Sequence, residues 1–361
     1  MANHRIYLDH AATTPVVDAA RHAFARGMEQ WANPSSPHLD GRGARSALED
    51  ARRRIASALG WDGEVILTGG ASEAIAMAML RSRASRWIIS PVEHDAVLRL
   101  ADRAGERPVS RLAVDLAGRL VMSSLDRALD GGSGKPLVIV QAANNESGVL
   151  QDISAIAAKV REAGGLLFAD CAQTAGKLPL PDADLIAVSA HKLGGPPGIG
   201  TLLVRDLAAL EPSGGQEKGY RPGTENLPGA MAFAAALEAP KVWLDRARDL
   251  RHQLDKSIRA AGGEIVAAEA PRIPTIGGYR MPGVSANAQL IQFDLSGISV
   301  SAGSACSSGT LKASHVLTAM GWDDVAAGEV VRVSFGPGTS RAHVYRFVEI
   351  WQSIHAKARA A

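Results

Sequence analysis

Short apolar runs recur between residues 64 and 204 and alternate with segments of helical pattern. The runs cover Glu64–Thr68, Trp87–Ser90, Val138–Val140, Leu166–Ala169, Leu185–Val188 and Thr201–Val204. Strands that alternate with helices indicate a mainly parallel sheet with helices packed against it. The pattern therefore predicts the α/β class for the larger part of the chain.

Polar side chains follow these runs at the point where each strand ends. In open α/β sheets, ligands bind outside the carboxyl ends of the strands. One polar strand end would be ordinary, whereas several at the same sheet edge predict a binding site. The residues concerned are Ser72, His94, Asn145, Asp170, Ser189, His191 and Lys192.

The chain is long enough for two domains, and its character changes after the helical segment 226–261. We predict a large domain over residues 14–250 and a small α+β domain made of residues 1–13 and 251–361. Pro240 predicts a break in the helical segment. The remaining elements predicted for the small domain are strands around 264–266, 289–293 and 330–334 and helices near 311–320 and 340–359.

Charge and hydropathy patterning exclude some classes of partner. The 361 residues include 39 basic and 37 acidic ones, so the formal net charge is +2 and gives no electrostatic case for nucleic acid or anionic membrane. No uncharged apolar run approaches the ~20 residues of a membrane helix, and the N-terminus lacks a signal peptide's apolar segment. We therefore expect a cytoplasmic protein.

Lys192 follows the apolar run Leu185–Val188 and precedes a glycine- and proline-rich loop. A lone lysine is usually solvated at the surface. At the end of a buried strand, however, burial lowers the pKa of the amine and lets it condense with a carbonyl. The strand ends around Lys192 favour this second interpretation.

The turn Gly69-Gly70-Ala71-Ser72 leads from a predicted strand into a predicted helix over 73–81. Such a turn presents free backbone N–H groups and the positive end of the helix dipole, which together bind phosphate. A plain N-cap by Ser72 explains the turn equally well.

Pyridoxal phosphate needs a lysine for its Schiff base, a carboxylate for its ring nitrogen and a phosphate cradle. Lys192 and Asp170 supply the lysine and the carboxylate. The phosphate cradle can be formed by Gly70, Ala71 and Ser72, assisted by Ser189 and His191. His94 could stack on the ring. The glycine motifs of nicotinamide enzymes and P-loop NTPases are absent. The strand ends therefore favour pyridoxal phosphate as the cofactor.

The two cysteines have different surroundings. Cys306 lies among small residues in Ser301-Ala302-Gly303-Ser304-Ala305-Cys306-Ser307-Ser308-Gly309, which is typical of a reactive thiol on a loop that can move. Cys171 follows Asp170 at a strand end and is predicted to be a small buried filler. We expect no disulfide and no metal site.

Motifs spread over nearly the whole chain resemble those of the cysteine desulfurases, which are fold-type I pyridoxal-phosphate enzymes of the class V aminotransferase superfamily. The form Ser304-Ala305-Cys306-Ser307-Ser308 resembles the long-loop group of that family. The other matching stretches are residues 7–15, Glu93-His94, Asn144-Asn145-Glu146, Asp170-x-x-Gln173, Ser189-x-His191-Lys192, Arg221-x-Gly223-Thr224 and Arg332-x-Ser334-x-Gly336.

The resemblance implies a role for each site residue. Lys192 would hold the cofactor and move protons, Asp170 would pair with the ring nitrogen and His94 would stack on the ring. Asn145 and Gln173 would hold the ring hydroxyl. The implied phosphate ligands are Ala71, Ser72, Ser189 and His191, with Thr224 reaching the phosphate of a partner subunit in a homodimer.

The resemblance also implies the substrate and its route. Arg332, assisted by Asn33, would bind the carboxylate of L-cysteine, and Cys306 would take the sulfur as a persulfide. An acceptor protein or iron–sulfur scaffold would receive it, for cluster assembly or thiolation. A selenocysteine lyase or an aminotransferase on the same scaffold is the alternative enzyme, and a non-catalytic scaffold is the alternative from another class.

Overall fold

The structure, a computed structural model, describes residues 5–303 and 314–360. Its strands are β1 (Ile6–Tyr7), β2 (Glu64–Thr68), β3 (Arg86–Ile89), β4 (Val109–Arg111), β5 (Pro136–Gln141), β6 (Leu166–Asp170), β7 (Leu185–Ser189), β8 (Gly200–Val204), β9 (Glu264–Ile265), β10 (Ile276–Arg280), β11 (Ile298–Ser299) and β12 (Val330–Ser334). Its helices are α1 (Asp18–Glu29), α2 (Leu39–Leu59), α3 (Ala71–Arg81), α4 (Asp95–Ala101), α5 (Met122–Asp130), α6 (Ile153–Glu162), α7 (Leu227–Glu238), α8 (Trp243–Ala260), α9 (Ala286–Leu295), α10 (His315–Ala319), α11 (Asp324–Ala327) and α12 (Arg341–Ala360).

Seven strands form the central sheet in the order β2-β8-β7-β6-β5-β3-β4. Strand β8 runs antiparallel to both of its neighbours, and the other strand pairs are parallel. Successive side chains of β5 enter two different cores, with Val138 on one face and Ile139 on the other. Burial on both faces explains why these strands read as continuous apolar runs. The prediction of a mainly parallel sheet flanked by helices is confirmed.

Two smaller sheets lie beside the C-terminal helices. Strands β12, β10 and β9 form an antiparallel sheet, while β1 pairs in parallel with β11. The rings of Phe293 and Phe347 stack 4.7 Å apart in the core between these elements, and Trp351 is fully buried there. The N-terminal strand therefore packs with the C-terminal part of the chain, and a bridge from Asp9 to Ser334 extends this pairing.

The predicted strand at residues 289–293 is wrong, because this segment lies within helix α9. The Oγ of Ser285 caps the helix by accepting from the backbone N–H of Ala288 at 3.3 Å. Gln289 is fully buried, and its side-chain amide donates to the carbonyl oxygens of Val284 and Glu329 at 2.8 and 2.7 Å. A short apolar run does not distinguish a buried helix from a strand.

The other helix predictions differ from the structure mainly at the ends. The break predicted at Pro240 is confirmed, since α7 ends at Glu238 and α8 begins at Trp243. Helix α3 begins at Ala71, two residues before the predicted start. Helix α2 begins at Leu39, because the Nδ1 of His38 accepts from the backbone N–H of Gly41 at 3.2 Å. The boundaries proposed for the two domains stay a prediction.

None of the described helices is both long and apolar enough to cross a bilayer.

Candidate active site

A cavity of about 600 Å³ lies at the carboxyl ends of the central strands, next to the N-terminus of α3. Parallel strands bring their ends to one edge, which is why residues far apart in the sequence meet here. Nine of the residues predicted for the site line the cavity: Ala71, Ser72, His94, Asn145, Asp170, Gln173, Ser189, His191 and Lys192.

Lys192 lies in a single 3₁₀ turn, Ala190–Lys192, directly after β7. Its Nζ donates to the carbonyl oxygens of Ala11 and Ala12 at 2.6 and 2.9 Å. The amine is thus held at the cavity wall by backbone acceptors from the N-terminal segment. A short turn at a strand end gives this lysine a defined position that a surface lysine lacks.

The glycine turn before α3 is shaped by close backbone packing. Gly70 caps the helix at φ 144°, a backbone conformation that favours glycine. A Cβ on Gly200 of β8 would lie 2.7 Å from the Cα of Gly70, so Gly200 excludes larger residues by close contact, whereas Gly70 disfavours them by its φ. The turn directs the first backbone N–H groups of α3 towards the cavity that Ala71 and Ser72 line.

His94 and Asp170 present a ring and a buried carboxyl group to the cavity. The Nδ1 of His94 accepts from the backbone N–H of Ala96 at 3.1 Å, and burial lowers the ring's pKa, so the ring is neutral. Burial raises the pKa of Asp170, while the nearby His94 and Lys192 act in the opposite direction. One oxygen of Asp170 accepts from the backbone N–H of Ala172 at 2.9 Å. The site therefore offers a flat neutral ring and a buried carboxyl group.

The side-chain amide of Gln173 makes a hydrogen bond through its nitrogen but not through its oxygen. Its Nε2 donates to the carbonyl oxygen of Ala11 at 3.0 Å. Its Oε1 is buried and has no hydrogen-bond partner among the described residues. A buried acceptor left open in a cavity indicates a position for a donor on a ligand.

His191 lies beside the glycine turn and Lys192 on the same cavity wall. Burial and the neighbouring Lys192 lower the pKa of the His191 ring to about 4. Its Nδ1 lies 3.2 Å from the Oγ1 of Thr13. The neutral ring can therefore donate one N–H to an oxygen in the cavity.

Arg332 lies on β12 and reaches the site through Asn145. Its Nη1 donates to the carbonyl oxygen of Asn145 at 3.0 Å, and its Nη2 donates to Asp9 at 2.8 Å. Its Nε is buried without a hydrogen-bond partner in the described part of the chain. The guanidinium therefore lies next to the cavity without being part of its wall.

Two other predicted site residues lie away from the cavity in this single chain. Asn33 is exposed, and its Oδ1 accepts from the backbone N–H of Ser35 at 2.9 Å. Thr224 is exposed on the loop before α7. Neither residue is among those that line the cavity.

The two cysteines differ in what the structure shows. Cys306 lies outside the described residues, so its predicted role stays a prediction. Cys171 is fully buried, and burial raises the pKa of its thiol to about 12. A thiol in that state is not a nucleophile at neutral pH, and the prediction of a buried filler is confirmed.

Sequence reasoning missed the contribution of backbone and buried groups around the site. The carbonyl oxygens of Ala11 and Ala12 hold Lys192, although nothing in an Ala-Ala pair indicates a role. Glu93 is fully buried beside His94, and burial raises its pKa well above the ordinary value. Its Oε1 accepts from the backbone N–H of Gln141 at 2.9 Å. The sequence showed Glu93 only as part of the matching stretch Glu93-His94, which assigned it no role.

Comparison with known proteins places this chain in a family. The model of the class-V aminotransferases matches residues 6–347. The chain is 35% identical to a cysteine desulfurase of Gluconacetobacter diazotrophicus over 98% of this chain and 94% of that protein. It is 34% identical to an IscS-like cysteine desulfurase of Mycobacterium tuberculosis, over 98% of this chain and 97% of the relative.

A solved structure gives the same assignment. The X-ray structure of a NifS-like protein from Rickettsia africae superimposes with a TM-score of 0.91 and 29% identity, covering 98% of this chain and all of that one. The class-V aminotransferases and the NifS-like cysteine desulfurases depend on pyridoxal phosphate. The chain belongs to the class-V aminotransferase family and, within it, to the cysteine desulfurases.

Proposed function

We propose that this cysteine desulfurase converts L-cysteine to L-alanine with pyridoxal phosphate at Lys192. In the net reaction, the substrate's C–S bond breaks, a C–H bond forms at the same carbon, and the sulfur forms an S–S bond with the sulfur of Cys306, which gives a persulfide. The observation that supports this most strongly is that Asp170 ends β6, Lys192 follows the adjacent strand β7, and both residues line one cavity of cofactor size.

The residues of the cavity fit pyridoxal phosphate. The open Oε1 of Gln173 would accept from the ring hydroxyl, and the Asp170 carboxylate would keep the ring nitrogen protonated. The N-terminus of α3 with Ser72, Ser189 and His191 would bind the phosphate. When bound, this cofactor supplies an electron sink for bonds at the substrate's α-carbon.

The chain's own residues would do the remaining work. Lys192 would return to the free amine while substrate is bound and would carry protons, since its Nζ is held at the cavity wall. His94 would cover the ring face. Arg332 would orient the substrate carboxylate. Its Nε has no hydrogen-bond partner among the described residues, and its two Nη atoms are held in place by Asp9 and Asn145. Asn33 would assist at the carboxylate.

We further propose a homodimer in which Thr224 of each subunit reaches the phosphate bound by the other. The exposure of Thr224 and its distance from its own chain's cavity support this arrangement. Sedimentation of the loaded protein should give a dimer. Thr224→Ala should weaken cofactor retention, whereas the control Ser213→Ala, at an exposed residue of the same segment before α7, should leave it unchanged.

The sulfur acceptor is proposed to be a protein or an iron–sulfur scaffold in the cytoplasm, for cluster assembly or thiolation.

Alanine formation from L-cysteine tests the reaction itself. Loss of alanine in Lys192→Ala, together with loss of the visible cofactor band, supports the proposal. Alanine formation only from selenocysteine, or a requirement for a keto acid, would instead establish a lyase or an aminotransferase.

A further inference from the structure

A second cavity shares Lys192 with the proposed cofactor site and is otherwise lined by different residues. It has a volume of about 270 Å³, and Lys192 contributes to the walls of both cavities. Helices α7 and α8 and the segment between them close one side of it, and the start of α1 closes another. The proposed reaction makes no use of this space.

Two further lysines, Lys177 and Lys241, line this second cavity. Both are partly buried. A Cβ built on Gly176 would lie 3.7 Å from the Nζ of Lys241, so Lys241 reaches the backbone just before Lys177. Two cationic side chains thus approach one enclosed space from different parts of the chain.

No carboxylate of the described residues neutralises this pair. Burial lowers the pKa of Lys177 to about 7, and the nearby charge of Lys192 acts in the same direction. Burial also lowers the pKa of Lys241. An unpaired cation that is partly withdrawn from water loses solvation free energy, and a bound anion would compensate for that loss.

The rest of the cavity wall is mostly apolar. It is formed largely by Val17, Leu193, Ala236, Ala239, Pro240 and Trp243. A bare inorganic anion would lose its hydration shell against such walls, whereas an anion with a short aliphatic body would bury that body favourably. At ~30 Å³ per water-sized group, the space suits about nine heavy atoms.

We propose that this cavity is a second ligand site, which binds a small aliphatic carboxylate between Lys177 and Lys241. The carboxylate pairs with the two ammonium groups, and the aliphatic body contacts Trp243 and Leu193. Amino acids are excluded, because their own ammonium group would face two lysines. The site is thus distinct from the one proposed for L-cysteine.

Calorimetric titration of the cofactor-loaded protein with butyrate, sulfate and 1-butanol tests the site. Butyrate carries both the charge and the aliphatic body, sulfate the charge alone and butanol the body alone. We expect saturable butyrate binding, weakened about tenfold or more in Lys177→Met and in Lys241→Met. Lys256→Met, at an exposed lysine on α8, serves as the matched control and should bind butyrate like the parent.

Four results would overturn the proposal. Butyrate binding of equal strength in the parent and in both cavity variants would show that the lysines bind no carboxylate. Equal binding of butanol would show that charge is irrelevant, and equal binding of sulfate would show that the apolar wall is irrelevant. Absence of butyrate binding in a parent protein that retains its cofactor band would also reject the site.

Discussion

Arg332 donates from its Nη2 to an oxygen of Asp9 across 2.8 Å, which joins β12 to the segment after β1. The other oxygen of Asp9 accepts from the Oγ of Ser301 at 3.0 Å. One edge of the guanidinium is therefore fixed, while its Nε remains buried without a partner among the described residues. An arginine held in this way is oriented before any substrate arrives, which reduces the ordering cost of binding.

Arg332→Lys should raise KM for L-cysteine and lower kcat/KM by about 10²-fold, because an ammonium cannot replace the planar fork and ~3 kcal/mol of charge-assisted hydrogen bonding is lost. Steady-state kinetics of alanine formation measure the change. Arg280→Lys is the control, since Arg280 pairs with Glu264 and Glu329 in the small sheet. An unchanged KM in Arg332→Lys would contradict the assignment.

Asp170→Asn should lower kcat by about 10²–10³-fold while leaving the cofactor bound, because a neutral amide does not hold the ring nitrogen protonated. The visible spectrum reports cofactor content, and single-turnover kinetics report the chemical step. Asp182→Asn removes an exposed carboxylate that pairs with Arg161 and Arg205, and it should leave kcat unchanged. A fully active Asp170→Asn protein would remove Asp170 from the proposed site.

Breaking the ion pair between Arg52 and Glu217 should destabilise the fold strongly. The two side chains are buried and form a bidentate pair with N–O distances of 2.6 and 2.9 Å. Glu217→Gln leaves Arg52 with only Glu49, whose Oε2 accepts from the Nε at 3.1 Å, and should cost about 3 kcal/mol of unfolding free energy because the bidentate buried pair is lost. Urea denaturation measures it.

The exposed pair of Arg53 and Asp50 provides the comparison, with a distance of 3.0 Å. Asp50→Asn should cost under ~1 kcal/mol, because water screens an exposed pair. If both variants lost the same stability, burial would not be what makes the Arg52 pair important.

Lys177 should make stability depend on pH. Burial lowers its pKa from 10.5 to about 7, so between these values the unfolded chain binds more protons than the folded one. The free energy of unfolding should therefore rise with pH from about 7 to 10.5. Lys177→Met should remove this contribution. The variant's advantage over the parent in free energy of unfolding should therefore be larger at pH 7 than at pH 10, by roughly 1–3 kcal/mol.

Urea denaturation in a buffer without carboxylates checks this expectation, with Lys256→Met as the exposed control. A gain of equal size at both pH values would show that Lys177 titrates normally in the folded protein.

The central sheet and most of the cavity could be predicted from the sequence, because each depends on local signals. The run before Lys192 indicates a buried strand, and parallel strands must end at the same edge, so Asp170 and Lys192 could be placed together. The segment 289–293 could not, since its apolar run suits a strand as well as a helix. There the Ser285 cap decided the structure.

Contacts between distant segments could not be predicted. Arg332 and Asp9 are 323 positions apart, and no periodicity links them. The same holds for Lys177 and Lys241, which meet around a cavity only because the end of α7 packs against the turn at Gly176. Such pairings are set by tertiary packing, which local patterns do not carry.

Mass spectrometry of the protein after addition of L-cysteine tests the proposed sulfur transfer most directly. We predict that the peptide containing Cys306 becomes one sulfur atom heavier, that reduction reverses the change, and that Lys192→Ala prevents it. Formation of alanine without any added sulfur on Cys306, or an unchanged rate in Cys306→Ala, would contradict transfer through this cysteine.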